Sequence, residues 1–298
     1  KVPLSKISIN NFRCFENIDL ILSPGINFFY GPNGSGKTSI LESVYLFSSG
    51  KSFKSSNLTS LVKYQNERFF LKGYDSNKGY VVEIEKNLDK PISISLNNKK
   101  ITTNKLIRNF PCTPIHNNTF SFASASPDFR RKLLDRSIFI SNSLFSPCWF
   151  SFHRTLKQRN NSLKKYRISD IYAWNKKFSK DGERLTKFRE DFFDKTLNEF
   201  YFLINLLRPS DVFKFFDLIK ISFYRGWDES LTLLDTLKKY HEADLQRKIT
   251  TAGPHKSDIK FLINGIDARQ ILSRGEQKFF SILWSCAQHE VLKKHFKI

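Results

Sequence analysis

Acidic residues are scarce: 28 Asp and Glu stand against 49 Lys and Arg, for a formal net charge of +21. Cysteine is limited to Cys14, Cys112, Cys148 and Cys286, far apart and with no CxxC pair. That spacing supports neither a zinc site nor the disulfide framework of a secreted domain, and it fits a reducing cytoplasm. No apolar run approaches the ~18 residues of a membrane-spanning helix; the stretches at Tyr201–Leu207 and Phe279–Ala287 are short or interrupted. The opening Lys1-Val2-Pro3-Leu4-Ser5-Lys6 lacks the apolar core of a signal peptide. Methionine is absent altogether, the initiator included, which has no physical account beyond the expectation that this is not a complete reading frame.

What is present bounds the rest. At 298 residues with 40% hydrophobic content, the chain can bury one large core or two ordinary ones, which excludes wholesale disorder. The positive excess points to a polyanion, either nucleic acid or an anionic membrane. A/T-rich codon usage is an alternative source of the lysine, because Phe, at 30 residues, and Asn and Ile are abundant as well.

Apolar alternation predicts strands at 4–9 and 26–30, then a helix from about Gly36 to Phe47 with Ile40, Leu41, Val44 and Tyr45 on one face. Residues 69–74 and 80–85 read as a hairpin around Asp75–Gly79, and 92–96 as a further strand. Ser126-Pro127-Asp128 is a helix start, combining a side-chain cap, proline in the first turn and an acid at the positive end of the dipole. Leu185, Phe188, Phe192, Thr196, Phe200, Ile204 and Leu207 form a core stripe at helical spacing, ended before Pro209. A strand at 217–223, a helix at about 229–248, a type I′ turn at Asn264-Gly265 and a last helix introduced by Ser273 follow.

Gly31-Pro32-Asn33-Gly34-Ser35-Gly36-Lys37-Thr38 matches GxxxxGK[ST] between a strand and a helix. Glycines let backbone amides turn in on phosphate oxygens, and the helix N-terminus adds partial positive charge. Lys37 can reach the β- and γ-phosphates of ATP, and the Thr38 hydroxyl can ligate Mg²⁺. No NKxD guanine motif occurs; a small-molecule kinase remains open on the loop alone. Leu272-Ser273-Arg274-Gly275-Glu276-Gln277 is similar to the LSGGQ signature of ABC ATPases, whose serine and glycine offer a second anion site for a γ-phosphate held by another subunit. A simple capped helix is the alternative reading of that hexapeptide. Between His153 and Lys180, nine Lys or Arg and one acid are interleaved with Tyr166, Tyr172 and Trp174. Arg159, Lys164, Lys165 and Arg167 in this stretch are candidate phosphate contacts. Arg130 and Arg131 either serve DNA or hold local carboxylates such as Asp135. His255 is a switch, a phosphate contact or a structural histidine.

Collinear stretches along nearly the whole chain resemble the RecF family of bacterial recombination-repair ATPases, relatives of the SMC proteins. They are Ile9–Asn17, Gly31–Glu42, Gly50–Lys54, Phe129–Asp135, Leu156–Asn160, Gly253–Asp258 and Leu272–Lys278. The resemblance implies an α/β ABC-type P-loop ATPase head with an antiparallel β patch and an α-helical lobe. We assign 1–122 to the N-terminal part of the ATPase lobe, 123–209 to the helical lobe, and 210–298 to the segment carrying the Gly-Pro-His and signature motifs. The resemblance also implies Arg13 near the nucleotide, with Ser273, Gly275 and Gln277 completing the γ-phosphate site of a facing subunit. Its further implications are an ATP-dependent homodimer, binding to single-stranded or gapped duplex DNA, and work with RecR and RecO in gap repair, replication restart and SOS induction.

Three departures are visible. No apolar run followed by paired acids occurs; the family's Walker B strand would follow position 298, so hydrolysis is not expected of this chain alone. Asn117-Asn118 replaces the usual Pro-Glu, and Ser257 replaces the usual acid after the Gly-Pro-His-basic run. The alternatives are a transporter-associated ABC nucleotide-binding subunit, disfavoured by the Phe12-Arg13 start and the basic helical middle, and a non-hydrolysing DNA-binding remnant.

Overall fold

A computed structural model describes residues 4–115, 122–123, 125–207, 216 and 218–296, the side chains of 295–296 excepted. The chain divides into two compact units, Lys1–Pro114 and Ile115–Ile298.

Alternation in its central strands builds the first unit. Strands β1 (Lys6–Phe12), β2 (Phe15–Ile21), β3 (Arg68–Asp75), β4 (Tyr80–Asn87), β5 (Ser93–Leu96) and β6 (Lys99–Lys100) form one antiparallel sheet in the order β2-β1-β3-β4-β5-β6. Every second residue of β3 and β4 is buried, which fixes the register, since a one-residue slip would turn the whole apolar set to water. Ile7, Ile9 and Phe12 of β1 join Phe69, Leu71, Val82 and Ile84 in the core. Leu46 and Phe47 of helix α1 (Lys37–Ser49) and Leu106 of α2 (Thr103–Asn109) complete it. The expected hairpin appears with the pairs Asp75↔Tyr80 and Arg68↔Asn87 at its ends.

Two expectations need correction here. Segment 26–30 carries no strand assignment. Alternation favours an extended chain, but a strand also needs a ladder partner, and none of the described residues supplies one. Phe29 packs against the core while Ile26, Phe28 and Tyr30 are exposed. The buried side of α1 is likewise shifted: Ile40, Glu42, Ser43, Leu46 and Phe47 are inside, and Leu41 faces out.

The second unit pairs long helices with a small sheet. Ser126 caps α3 (Pro127–Ser141) as expected, its hydroxyl accepting from the Phe129 amide. Helices α4 (Phe145–Lys164) and α5 (Ile168–Leu207) form a hairpin. The predicted stripe is on α5, with Leu185, Phe192, Thr196, Phe200 and Ile204 buried; Pro209 lies outside the described residues. Strands β7 (Ile219–Tyr224), β8 (Asp258–Ile263) and β9 (Ile266–Asp267) follow in that order in the sheet; residue 217 lies outside the described residues. Asn264 at φ 51° and Gly265 at φ 82° make the two-residue turn between β8 and β9, the conformation a type I′ turn requires.

The helix expected at 229–248 is two. Thr232 caps α6 (Leu233–Lys239), and α7 (His241–Arg247) starts after Tyr240, whose amide is shared between the carbonyls of Thr236 and Lys238. Tyr240, at φ −94° and ψ 12°, leaves the helical conformation and separates the two. After the short α8 (Ala268–Ile271), helix α9 (Arg274–Phe296) closes the core with Phe280, Leu283, Trp284, Ala287 and Val291. Phenylalanine abundance is expressed here: Trp284 stacks on Phe122 at 5.9 Å and contacts Phe193, Phe200 and Phe261.

Candidate nucleotide site and charged networks

The β1–β2 hairpin reverses at Arg13 and Cys14, with Arg13 in the left-handed region at φ 55°. That turn aims Arg13 at α1. Its Nε and Nη2 donate to the two oxygens of Glu42, each at 2.9 Å, in the bidentate geometry that suits guanidinium and carboxylate. Glu42 is fully buried and also accepts from the Ser52 hydroxyl. Ser52 Oγ in turn accepts from the amides of Lys54 and Ser55. One buried carboxylate therefore ties the hairpin turn and the segment after α1 to the P-loop helix.

The loop before α1 has the backbone its glycines permit. Gly31, Gly34 and Gly36 take φ of 148°, 87° and 89°. A Cβ on Gly36 would sit 2.4 Å from the Phe15 ring and 2.8 Å from Cys14 Sγ, so no other residue fits there. Lys37 Nζ donates to the carbonyls of Gly31 and Pro32 at 2.8 and 2.7 Å, which holds its ammonium against the loop. A cavity of about 580 Å³ opens over it, lined by Arg13, Cys14, Asn33, Gly34, Gly36, Lys37, Thr38, Ser39, Lys54, Ser60 and Val62. Three cations and no carboxylate line this cavity, which sits at a helix N-terminus, a setting whose electrostatics favour an anion. Of the residues expected here, Arg13, Asn33, Gly34, Gly36, Lys37 and Thr38 line the cavity; Gly31, Pro32 and Ser35 form the loop beside it. Sequence reasoning did not single out Lys54, although the basic block Lys51-Ser52-Phe53-Lys54 was its signal.

The signature hexapeptide opens α9. Ser273 Oγ accepts from the Glu276 amide at 3.3 Å, and Glu276 Oε2 accepts from the Ser273 amide at 2.7 Å, a reciprocal capping box. Gln277 turns back to donate to the carbonyls of Leu272 and Arg269. Ser273, Arg274 and Gly275 stand exposed at the N-terminus of this 23-residue helix.

Several basic candidates are instead internal. Arg130 is 5% exposed and forms a bidentate pair with Asp258 at 2.7 and 2.8 Å. Arg131 donates to the Ser257 carbonyl at 2.6 Å and lies 3.6 Å from Asp128. Asp135 is held by Arg189, at 2.7 and 2.8 Å. Arg189 also donates to the Pro254 carbonyl and to Ser257 Oγ. Three arginines thus clamp the Gly-Pro-His loop, and Ser257 serves as an acceptor within the clamp. Gly226 is obligatory beside that loop, since a Cβ there would meet the Gly253 carbonyl oxygen at 2.1 Å. His255 is structural: its ring Nε2 bonds the Thr250 carbonyl at 2.9 Å, and burial pushes its pKa down to about 4.

Arg159 is fully buried, with Nη1 2.8 Å from Asp244 and hydrogen bonds to Asn175 and Thr250. Arg159 is therefore closed to a polyanion, contrary to expectation, and Arg130 takes the carboxylate alternative: each falls on the apolar stripe of its helix, where a guanidinium is tolerated only with a carboxylate partner. Lys164, Lys165 and Arg167 are exposed at the α4–α5 turn. Asn117-Asn118 lies outside the described residues.

Residues 3–296 match the family described as the RecF/RecN/SMC N terminal domain. The chain is 32% identical to the DNA replication and repair protein RecF of Aliivibrio fischeri (strain MJ11), over 98% of this chain and 81% of that protein. The chain belongs to the RecF family. Identity to RecF of Pseudoalteromonas translucida (strain TAC 125) is also 32%, over 98% of this chain and 80% of the relative. Among solved structures, the recombination mediator protein RecF with ATP, from the RecFOR pathway, superposes with a TM-score of 0.81 at 25% identity, over 99% of this chain and 82% of that one. An SMC head domain from Pyrococcus furiosus, with a TM-score of 0.54 and 15% identity over 97% of this chain and 79% of that one, shares the fold alone. The RecF-family head is thus a mixed α/β ATPase fold with antiparallel sheets and a helical lobe, as the sequence implied, and membership removes the transporter-subunit alternative. Among the described residues, no helix is long and apolar enough to cross a membrane.

Proposed function

We propose that this chain is an ATP-binding, DNA-binding recombination mediator of the RecF type. It acts in the cytoplasm in gap repair, replication restart and SOS induction, with RecR and RecO as partners. The observation that carries the reading is the P-loop cavity, with Arg13, Lys37 and Lys54 around the start of α1 and no acid in the lining. ATP fits this donor set: the loop amides and Lys37 would take its phosphates, and Thr38 would supply one ligand to Mg²⁺. The nucleotide supplies a γ-phosphate that a second copy can recognise. Ser273 and Gly275, exposed at the start of α9, would meet it in trans, giving a two-fold dimer with ATP at the interface. Gln277 would hold that turn in shape through its bonds to Leu272 and Arg269.

Light scattering tests this reading. ATP and not ADP should double the mass of the wild type. Ser273→Arg should abolish the shift while leaving ATP affinity of the monomer unchanged. Normal ATP-dependent dimerisation of Ser273→Arg would remove the trans role.

A further inference from the structure

We propose that the tip formed by the α4–α5 turn and the end of α7 docks single-stranded nucleic acid, with Tyr166 stacking on a base and the surrounding cations holding the flanking phosphates. This rests on the DNA-binding reading above and assigns it a surface and a stacking residue.

The surface draws on elements that are remote in sequence. Lys164, Lys165 and Arg167 are exposed on the turn, and Arg247 and Lys248 are exposed where α7 ends. The two come together at Tyr166, whose ring lies 5.6 Å from Lys248 Nζ. Below them, Asn160 Oδ1 accepts from the amide and hydroxyl of Thr250 at 2.8 and 2.6 Å, and buried Arg159 bonds Asp244 and Thr250. The tip is therefore preorganised by a polar network that leaves its own lysines free of it. The neighbouring acids are few. Asp170 lies 3.8 Å from Arg167, Glu242 is exposed on α7, and Asp244 is committed to Arg159.

A groove of about 610 Å³ runs from the tip along α4, lined by His153, Leu156, Lys157, Gln158, Asn160, Asn161 and Lys164, with no carboxylate. Lys157 and Lys164 are two turns apart on the helix, about 10 Å, so both can engage one strand along the groove.

The conformation of Tyr166 argues for a ligand with accessible base faces. It ends α4 in the left-handed region at φ 52°, with the Arg167 amide bonded back to the Ser162 carbonyl at 3.0 Å. Glycine or asparagine adopts that position with little strain, and a bulky side chain does not. Burial does not offset the strain, because Tyr166 is 56% exposed. Tyr172, stacked on His241 at 5.4 Å, is a second exposed ring on the same hairpin. Exposed rings among lysines match a single strand, whose bases can stack on them, better than a duplex, whose bases are already stacked.

Fluorescence anisotropy with labelled oligothymidine and with a duplex of equal length, ATP present, tests the assignment. Tyr166→Asn suits the backbone and removes the ring; it should weaken oligothymidine binding about tenfold and leave duplex binding unchanged. Tyr166→Phe should bind as the wild type does. The combined Lys164→Ala, Lys165→Ala and Lys248→Ala variant should flatten the dependence of log affinity on log salt by about 2. Equal oligothymidine affinity in wild type and Tyr166→Asn, or an equal loss on both DNAs, overturns the proposal and leaves the DNA-binding reading standing. Failure of the wild type to bind either DNA removes that reading instead. All these positions are exposed, so matching circular dichroism melts will separate binding losses from folding losses.

Discussion

The P-loop cavity of the first unit and the buried arginine clamps of the second use positive charge in opposite ways. In the first, Arg13, Lys37 and Lys54 line an open cavity, with Glu42 buried behind Arg13 as a brace. In the second, Arg130, Arg159 and Arg189 turn inward, and each meets an aspartate: Asp258, Asp244 and Asp135. The first arrangement keeps cationic groups available to an anion. The second uses them to tie helices α3, α4 and α5 to the segment from Asp244 to Asp258. A net charge of +21 is therefore no measure of binding surface by itself, because Arg130, Arg159 and Arg189 of the second unit are already neutralised inside it, while Lys164, Lys165, Arg167, Arg247 and Lys248 stay exposed.

The sharpest way to break this contrast is to remove a buried cation. Arg159→Met leaves Asp244 buried without its partner, and should cost about 3–5 kcal/mol of stability. Replacing both residues, Arg159→Met with Asp244→Leu, should recover much of that loss, because two desolvated charges are replaced by apolar volume. Urea denaturation of the three proteins reads both effects. A loss below about 1 kcal/mol in the single variant, the level of an exposed pair, would show that Arg159 is solvated.

Much of this was legible beforehand, and the failures have physical causes. The P-loop, the Ser126 cap and the Asn264-Gly265 turn are local: a few adjacent residues determine each, so the sequence suffices. Arg159 was also readable. Cys148, Phe152, Thr155, Arg159 and Ser162 follow helical spacing, and that stripe is the buried face of α4, whereas Lys157 and Lys164 fall off it. Weighing the basic stretch by composition hid the phase. Segment 26–30 failed for another reason, since alternation sets backbone conformation but strand pairing is decided by residues far away in the chain. Lys54 and Glu42 acquire their roles only when β1, the P-loop helix and the segment after it are folded together.

A smaller effect lies in the same clamp and turns on pH. His255 has a folded pKa of about 4 against an ordinary value of 6.5, so as pH falls the unfolded chain takes up the proton first. Burial is the main cause; Lys256 and Arg131 add to it, while the bond to Thr250 and the charge of Asp244 oppose it. Stability from neutral His255 is present above pH 6.5 and lost on the way to about pH 4, by about 3 kcal/mol in all. His255→Gln should flatten the stability profile across that window. An identical slope in both proteins would assign the acid sensitivity elsewhere.

The last test addresses the open site, where binding should suffer and folding should not. Lys37→Ala removes an ammonium held on the loop carbonyls of Gly31 and Pro32. It leaves no buried charge behind, because Lys37 pairs with no acid among the described residues. A hydrogen bond to a charged group contributes about 1.5–3 kcal/mol, so ATP affinity should fall about 10- to 150-fold by calorimetry while the thermal midpoint without nucleotide stays put. Lys37→Arg should also weaken binding, since a planar guanidinium does not fit a loop closed around a compact ammonium. Arg13→Lys separates the two functions of the cavity wall. A lysine keeps the positive charge facing the cavity but forfeits the two-point grip on Glu42, so it should loosen the segment carrying Ser52 and Lys54 more than it weakens the electrostatic attraction for ATP. If Lys37→Ala instead lowers the midpoint as Arg159→Met does, the P-loop lysine is a structural cation like those of the second unit, and the contrast between the two units disappears.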